Sequence, residues 1–492
     1  MGKAVSETDR SRSARAPRDR RRPPAVLIGG LSLVVLTVAV LQTAVVPVLG
    51  VIATQLHASP VAVSWAVTAN LLAAAAATPL IGRLADLYSK KLVLLTVLVI
   101  VLIGSVLAAT TASVALLIVG RILQGASYAL YPICIAILRE ELAEDRLVGA
   151  MAVLSGTLGF GGGVGLVVTG LLMSGDANYH RVFWLTTVFT AVVIVVAVAA
   201  VPARKPIPDG SIDWLGAVGL AGGLSAVLLA VTQGNAWGWT SPAAIGVLAV
   251  GVALLVGWWL WERRITHPLV STRMLAKRPI LLTNLATIFV GMGLYFAFLG
   301  LTQFVQMPPE TAGYGFGATV LQASMIFLLP GALAGFLVAL VSGRFIDRFG
   351  ARKVLMVGAF VGVAGFLMLS LAHHRAWQVI GAGVLANAYI SLGYGALPAL
   401  VVSEVDAAET GVATSVNAIA RTIGSSIAAA VVAVLLGHSA IPAESSFVTI
   451  FVAGAVTATL AMALIAISRV PDRHRESKQR LAESRAMNHE WG

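Results

Sequence analysis

The sequence is poor in charged residues and in cysteine. Asp, Glu, Lys and Arg make up only 11% of its 492 residues, whereas soluble domains hold about one quarter. The single cysteine, Cys134, lies inside an apolar run, which excludes a disulfide framework and a cysteine-based metal site. The sequence contains no Gly-x-x-x-x-Gly-Lys-Ser/Thr loop, so an ATP-driven pump is disfavoured. The apolar runs also hold no Ser/His pair, His/Glu metal cluster or catalytic carboxylate pair, so we expect neither an enzyme nor a cofactor.

Long apolar runs occupy most of the chain. Hydrophobic residues make up 58% of the sequence, and the mean hydropathy is +0.90. Because a helix that crosses a bilayer needs about 20 apolar residues, each run is long enough for one crossing. The sequence therefore predicts an all-α integral membrane protein with fourteen spans, at 27–49, 61–82, 92–110, 113–138, 148–173, 181–201, 212–232, 243–261, 279–305, 320–342, 351–371, 377–400, 410–437 and 447–468.

The cations alternate between the two sides of these spans. With the N-terminus inside, 30 of the 34 Lys and Arg residues fall in inside segments, and only Arg181 and Arg375 fall outside. Since short basic segments stay cytoplasmic, both termini are predicted to be cytoplasmic in the plasma membrane. The basic stretch 1–26 precedes a full-length span, so we interpret it as a retained tail and not as a signal peptide. The net charge of +12 then requires no nucleic acid partner.

A charged pattern recurs between apolar runs. Gly-x-x-x-Asp followed by cations occurs twice, 261 positions apart, as Gly82, Asp86, Lys90 and Lys91 and as Gly343, Asp347, Arg348 and Gly350. Charged side chains and unpaired backbone groups cost too much in hydrocarbon, so we expect both stretches to be polar loops at the cytoplasmic surface. The repetition predicts two related halves.

These loops resemble the cytoplasmic signature loops of the major facilitator superfamily. Two additional spans, together with the strings Asp213-Trp214-Leu215-Gly216 and His267-Pro268-Leu269, resemble its fourteen-helix drug:proton antiporter branch. The resemblance implies a functional monomer in which Asp86 closes a cytoplasmic gate against the N-terminus of the thirteenth span. It divides the chain into a tail 1–26, a six-helix half 27–201, two additional helices with linkers 202–278, a six-helix half 279–468 and a tail 469–492.

Polar residues inside three spans are candidates to line a central path. Arg121, with Gln124 one turn away, lies in the fourth span, where an intramembrane guanidinium should face the bundle interior or a wet cavity. The alternative is an arginine that snorkels to the headgroups. The resemblance implies that Arg121 takes part in proton transfer and substrate coupling. The other candidates are Gln42 and Thr43 in the first span and Asn417 and Arg421 in the thirteenth, and hydrogen bonding between helices is the alternative role for Asn417.

The fifth span is rich in glycine. Its runs of small residues predict close helix packing, at Gly156, Gly159, Gly162 and Gly163. A nucleotide-binding loop is excluded because both flanks are membrane helix. The resembled branch carries a Gly-Pro pair in this region, where this chain has Phe160 and Gly161.

The resemblance implies secondary active export of small amphipathic molecules, as in multidrug or metabolite efflux, coupled to proton influx. Two features of the sequence argue against coupling: Gln42 stands where that branch commonly has an acidic residue, and no carboxylate falls at mid-membrane. The alternative is an uncoupled facilitator or a lipid or lipid-precursor translocator. His57, His373 and His374 flank predicted external loops, and we interpret them as solvated side chains.

Overall fold

The computed structural model describes residues 23–173, 178–204, 211–266, 268–406, 409–436 and 441–468. Within these ranges, fourteen helices are long and apolar enough to cross a membrane, which confirms the predicted number of spans. Most of both predicted tails lies outside the described residues. The spanning helices are α1 Pro24–Gln55, α2 Pro60–Leu87, α3 Lys90–Thr110, α4 Val114–Glu141, α5 Glu144–Leu172, α6 His180–Ala200, α7 Trp214–Trp237, α8 Pro242–Glu262, α9 Arg278–Gln306, α10 Ala323–Phe349, α11 Ala351–Leu371, α12 Ala376–Val402, α13 Thr410–Leu436 and α14 Glu444–Ile467.

Four of these helices contain an irregular turn. In α1 a 3₁₀ turn spans Val46–Val48, where Pro47 has no N–H to continue the α-helical ladder. A second 3₁₀ turn interrupts α4 at Ala126–Ala129. Helices α9 and α10 contain π-helical turns at Phe296–Gly300 and Ala323–Leu328. Such turns re-aim the side chains around them, and here all four helices border the central cavity described below.

The helices form two six-helix groups, α1–α6 and α9–α14. The groups meet through several helix pairs, and two of these pairs are equivalent, α2 against α13 and α5 against α10. Each pair joins the second helix of one group to the fifth helix of the other. This arrangement gives the bundle an approximate twofold relation and leaves a central space between the groups.

The additional helices α7 and α8 pack against each other at the edge of the bundle. Helix α7 also contacts α2 and α13, so the pair covers the seam between the two groups on one side. Much of α8 is exposed, with Ile245 at 55% and Val250 at 55% relative accessibility, as expected for a helix that faces lipid. The pair is therefore central in sequence but peripheral in space.

The expectation that both stretches are polar loops is wrong. Helix α2 continues through Gly82 and Asp86 to Leu87, and α10 continues through Gly343 and Asp347 to Phe349. The connections are only Tyr88–Ser89 and Gly350, whose φ of +86° suits a residue without a side chain. A helix satisfies its own backbone groups, so it can extend past the hydrocarbon without a loop.

Both signature glycines lie where the two groups meet. A Cβ atom on Gly82 would lie 2.2 Å from Oγ of Ser415 in α13, and one on Gly343 would lie 2.5 Å from Cα of Gly149 in α5. Real Cβ atoms do not approach other atoms this closely, so the absence of a side chain permits the contact. The repeated glycine is thus explained by close approach of helices and not by a turn.

The predicted orientation can be tested by cysteine labelling at two exposed positions, Thr311 and Tyr88. We expect Thr311→Cys to react with a membrane-impermeant maleimide on intact cells, and Tyr88→Cys to react only after permeabilisation. Cys134 is buried and serves as the unreactive background. Labelling of Thr311→Cys only from the cytoplasmic side would contradict the orientation.

Candidate functional site

A cavity of about 550 Å³ lies between the two six-helix groups. Helices of both groups line it, and so does α7 of the additional pair. Its volume is in the range of pockets that hold drug-sized molecules. The polar and aromatic lining residues are Gln42, Thr43, Thr68, Asn70, Arg121, Tyr128, Thr232, Gln233, Asn235, Tyr295, Phe298, Asn387, Tyr394, Arg421, Thr422, Ser425 and Ser426.

Arg121 lies inside the bundle, as predicted, and does not snorkel. Its side chain is only 1% exposed. Nε donates to the Ala66 carbonyl at 3.0 Å, and Nη1 donates to the Leu41 carbonyl at 3.2 Å and to Oε1 of Gln124 at 2.6 Å. Gln124 in turn donates to Ser105 at 2.8 Å. One buried network therefore joins α1, α2, α3 and α4, and Gln124 supports Arg121 from behind without lining the cavity.

Arg421 is held differently. Its guanidinium carbon lies 4.8 Å from the ring centre of Tyr394 and 5.2 Å from that of Tyr131, which are cation–π distances. The side chain is 9% exposed and lines the cavity. No hydrogen bond of the Arg421 guanidinium is found among the described residues, so its N–H donors are available to a ligand in the cavity.

Asn417 does not line the cavity. Its amide donates to Asn284 at 3.0 Å and to Thr287 at 2.8 Å, both on α9. The structure therefore places it in hydrogen bonding between helices, the alternative role, and separates it from Arg421 although both are on α13.

The other sequence candidates divide between lining and packing. Gln42 and Thr43 line the cavity. Three of the four glycines predicted to pack in the fifth span, Gly159, Gly162 and Gly163, also line it. Close packing holds for Gly156, where a Cβ would lie 2.1 Å from Cβ of Ala339, and for Gly163, where it would lie 2.6 Å from Cβ of Ala332. At Gly159 and Gly162 the nearest atoms are at ordinary contact distance, so packing does not explain those two.

The sequence reasoning missed several lining residues. Tyr128 is seven positions after Arg121, hence on the same face of α4, and this spacing was a usable signal. Gln233 and Asn235 of α7 had no such signal. Gln233 donates to Thr68 of α2 at 3.3 Å, and Asn235 donates to the Ala430 carbonyl of α13 at 3.4 Å. Helix α7 thus forms part of the cavity wall and bonds to both groups.

Asp86 connects the two groups at the predicted cytoplasmic end. Its carboxylate accepts the backbone N–H of Gly411 at 3.1 Å and of Val412 at 3.0 Å, in the first turn of α13. These N–H groups have no partner within their own helix, and the helix dipole favours a negative charge there. The contact is the one expected from the resemblance.

A second contact between the groups at this end was not foreseen. Arg139, at the end of α4, donates to the Val405 carbonyl at 2.8 Å and also to Thr410 at the start of α13. We call the contacts of Asp86 and Arg139 with Val405, Thr410, Gly411 and Val412 the latch. The latch closes the end of the bundle below the cavity.

The remaining signature residues make local contacts. Nζ of Lys90 lies 3.3 Å from Oε2 of Glu140, and Lys91 donates to the Val198 carbonyl at 2.8 Å. Arg348 lies over the ring of Phe349 at 5.3 Å. Lys90 and Lys91 thus fasten α3 to helices of its own group.

The interpretation of His373 as a solvated side chain is wrong. It is only 5% exposed and packs edge-on against Phe304, with ring centres 5.3 Å apart. Phe304 itself packs on Tyr314, Phe447 and Phe451. These side chains form an aromatic cluster next to His373, which lies in the connection between α11 and α12. His374 and His57 are not buried.

Comparison with known proteins agrees with this architecture. The family model of the Major Facilitator Superfamily matches residues 31–214, 212–429 and 302–489. The chain is 29% identical over 432 residues to the tetracenomycin C resistance and export protein of Streptomyces glaucescens, covering 85% of this chain and 76% of that protein. It is 28% identical over 330 residues to the uridine/deoxyuridine transporter of Lactococcus lactis subsp. cremoris, covering 65% of this chain and 68% of that protein.

Among solved structures, the fold is similar to that of the human organic anion transporter MFSD10 (TETRAN). The TM-score is 0.63 at 15% identity, covering 89% of this chain and 100% of that chain. At this identity the likeness concerns the fold. The family match, which extends over nearly the whole chain, and the two six-helix groups show that the chain belongs to the Major Facilitator Superfamily.

Proposed function

We propose that the protein is a secondary transporter that exports small amphipathic molecules by alternating access, with proton influx as the energy source. One observation carries the proposal of transport: a drug-sized cavity lies between two six-helix groups, above a latch that joins them at one end. Breaking the latch and closing the groups at the other end would expose the same cavity to the opposite side. The similarity to a tetracenomycin C export protein supports the direction.

A second candidate is an uncoupled facilitator, and one feature of the cavity favours it. Among the described residues that line the cavity there is no Asp or Glu. A proton carrier must take up and release a proton in the transport path, and carboxylates are the usual groups for this. The similarity to a uridine/deoxyuridine transporter is compatible with this candidate. The lipid or lipid-precursor translocator also remains an alternative.

We expect Arg121→Ala to abolish transport, because it removes the charge in the path and leaves the Gln124 oxygen and two backbone carbonyls without their donor. The assay is uptake of tetracenomycin C and of uridine into inside-out proteoliposomes, with and without an imposed proton gradient. Arg375→Ala, at an exposed position, is the matched control and should transport normally.

The same assay separates the two candidates. Uptake against a substrate gradient that collapses when a protonophore is added supports proton-coupled export. Flux that follows only the substrate gradient selects the facilitator. In the coupled case, Gln42→Asp should make transport more strongly dependent on the pH gradient, because it restores an acid in the cavity wall. Absence of transport of every tested compound by a folded protein would contradict both candidates.

We expect Asp86→Asn to shift the protein towards the state that is open to the cytoplasm. A carboxylate at a helix N-terminus contributes about 0.3–2 kcal/mol, which corresponds to roughly a 2- to 30-fold change in the ratio of closed to open forms. The measurement is the rate at which a cysteine at Ser415, buried against Gly82, reacts from the cytoplasmic side.

Asp347→Asn is the matched control, because Asp347 occupies the same position of the repeated pattern in α10. It should change the labelling rate less than Asp86→Asn does. Equal labelling rates in Asp86→Asn and the unmodified protein would contradict a gating role for the latch.

A further inference from the structure

We propose that the cavity selects aromatic molecules that carry an anionic group, and that Arg421 is the residue that binds the anion. This inference rests on the proposed transport function and specifies the substrate class of the same cavity.

The charge of the cavity is one-sided. Two arginines line it, and among the described lining residues no carboxylate offsets them. The ion pairs of the described residues join other groups and include neither Arg121 nor Arg421. In a low-dielectric interior a lipophilic cation would be repelled by both guanidinium groups, whereas an anion would be attracted.

The two arginines are not equivalent. Arg121 uses its Nε and Nη1 donors on Ala66, Leu41 and Gln124, so it contributes charge but has few free donors. Arg421 lies at cation–π distance from Tyr131 and Tyr394, and no hydrogen bond of its guanidinium is found among the described residues, so its donors are left for a ligand. A planar guanidinium binds a carboxylate through two parallel hydrogen bonds, which suits an acidic substrate.

The rest of the lining suits an aromatic body. Tyr128, Tyr295, Phe298 and Tyr394 contribute rings from three helices. Aromatic side chains favour offset or edge-on contacts with a second ring. An aromatic acid would therefore place its carboxylate at Arg421 and its ring among these side chains.

The test uses three ligands of nearly the same shape: 1-naphthoate, 1-naphthamide and 1-naphthylmethylammonium. Binding to the purified full-length protein is measured by isothermal titration calorimetry. We expect the acid to bind about tenfold or more tightly than the amide, and the amine to bind most weakly. Arg421→Gln should remove most of the preference for the acid, because only the charge of Arg121 remains, and it should leave the affinity for the amide unchanged.

Arg421→Lys is the companion variant, since it keeps the charge but loses the planar fork, and should retain part of the preference for the acid. An amine that binds as tightly as the acid, or a preference for the acid that is undiminished in Arg421→Gln, overturns this inference while leaving transport intact. Failure of all three ligands to bind the folded, unmodified protein counts against the cavity as a substrate site and so against the proposed function itself.

A second, independent observation lies at the predicted external face. His373 and His374, in the connection between α11 and α12, face Glu444 at the start of α14, and their ligand atoms all lie within 4.8 Å of one another. We infer that these three residues form a binding site for a divalent transition-metal ion such as Zn²⁺.

The hydrogen bonds of His373 support a cation at this position. Nδ1 lies 2.7 Å from the Leu369 carbonyl, and Nε2 lies 2.8 Å from Oε1 of Glu444. A neutral imidazole has one N–H, so it cannot donate to both acceptors. If Nδ1 donates to the carbonyl, then Nε2 points a lone pair at a carboxylate, an arrangement that a metal ion between them stabilises. A backbone carbonyl that orients a histidine in this way is typical of metal sites.

The distances permit a zinc site with small movements. Nitrogen and oxygen ligands lie about 2.0–2.2 Å from zinc, so two of them in a tetrahedral site are about 3.3 Å apart. The His373–Glu444 pair, at 2.8 Å, would have to open by about half an ångström. His374 is exposed and free of the core, so its ring can rotate towards the other two.

The test is the thermal unfolding of protein purified without a polyhistidine tag, with and without ZnCl₂. We expect zinc to raise the unfolding temperature by about 2–4 °C. His373→Ala and Glu444→Gln should each abolish the increase. His57→Ala, at another predicted external loop, is the matched control and should keep it.

Two outcomes overturn the metal site. One is a zinc-dependent increase in the unfolding temperature that persists in both His373→Ala and Glu444→Gln. That result would mean that zinc binds to other residues. The other is no effect of zinc on the unfolding temperature of the unmodified protein.

Discussion

Hydrocarbon offers no partner to a polar group, and most of this structure follows from that constraint. It requires helices for every crossing, and it requires that each polar side chain inside the bundle find its partner within the protein. Arg121 shows how strict the requirement is. With no carboxylate near it, the guanidinium is stabilised by two backbone carbonyls and by Gln124, and the price is that four helices must be held in fixed register.

The same constraint explains the latch. The first N–H groups of α13 have no partner within their own helix, and closure of the bundle at this end buries them. Asp86 supplies the acceptor, and the absence of a side chain on Gly82 lets α2 approach closely enough for the contact. An open form would leave both the carboxylate and the N–H groups to water. The closed and open forms can therefore differ little in free energy, as alternating access requires.

The sequence alone predicted the helices better than it predicted which side chains meet. The length of the apolar runs and the placement of the cations predict fourteen helices, because whether a segment crosses the membrane depends on that segment and the membrane alone. The burial of Arg121 follows from the cost of a charge in lipid. Gln233 and Asn235 line the cavity because of where α7 packs in the bundle, and the pattern of apolar residues along α7 does not reveal that position. His373 was misjudged for a similar reason, since its burial depends on Phe304 from a helix far away in the chain.

The two arginines that line the cavity differ in how many N–H donors they can offer to a ligand. From the sequence, Arg121 carried the most weight, because the family resemblance implies that it takes part in proton transfer and substrate coupling. In the structure Arg121 is the more buried of the two arginines. Its Nε and Nη1 donors are used within the protein, so Arg121 contributes positive charge to the cavity but has few donors left for a ligand. Arg421 lies against the rings of Tyr131 and Tyr394, and no hydrogen bond of its guanidinium is found among the described residues, so its donors are left for a ligand.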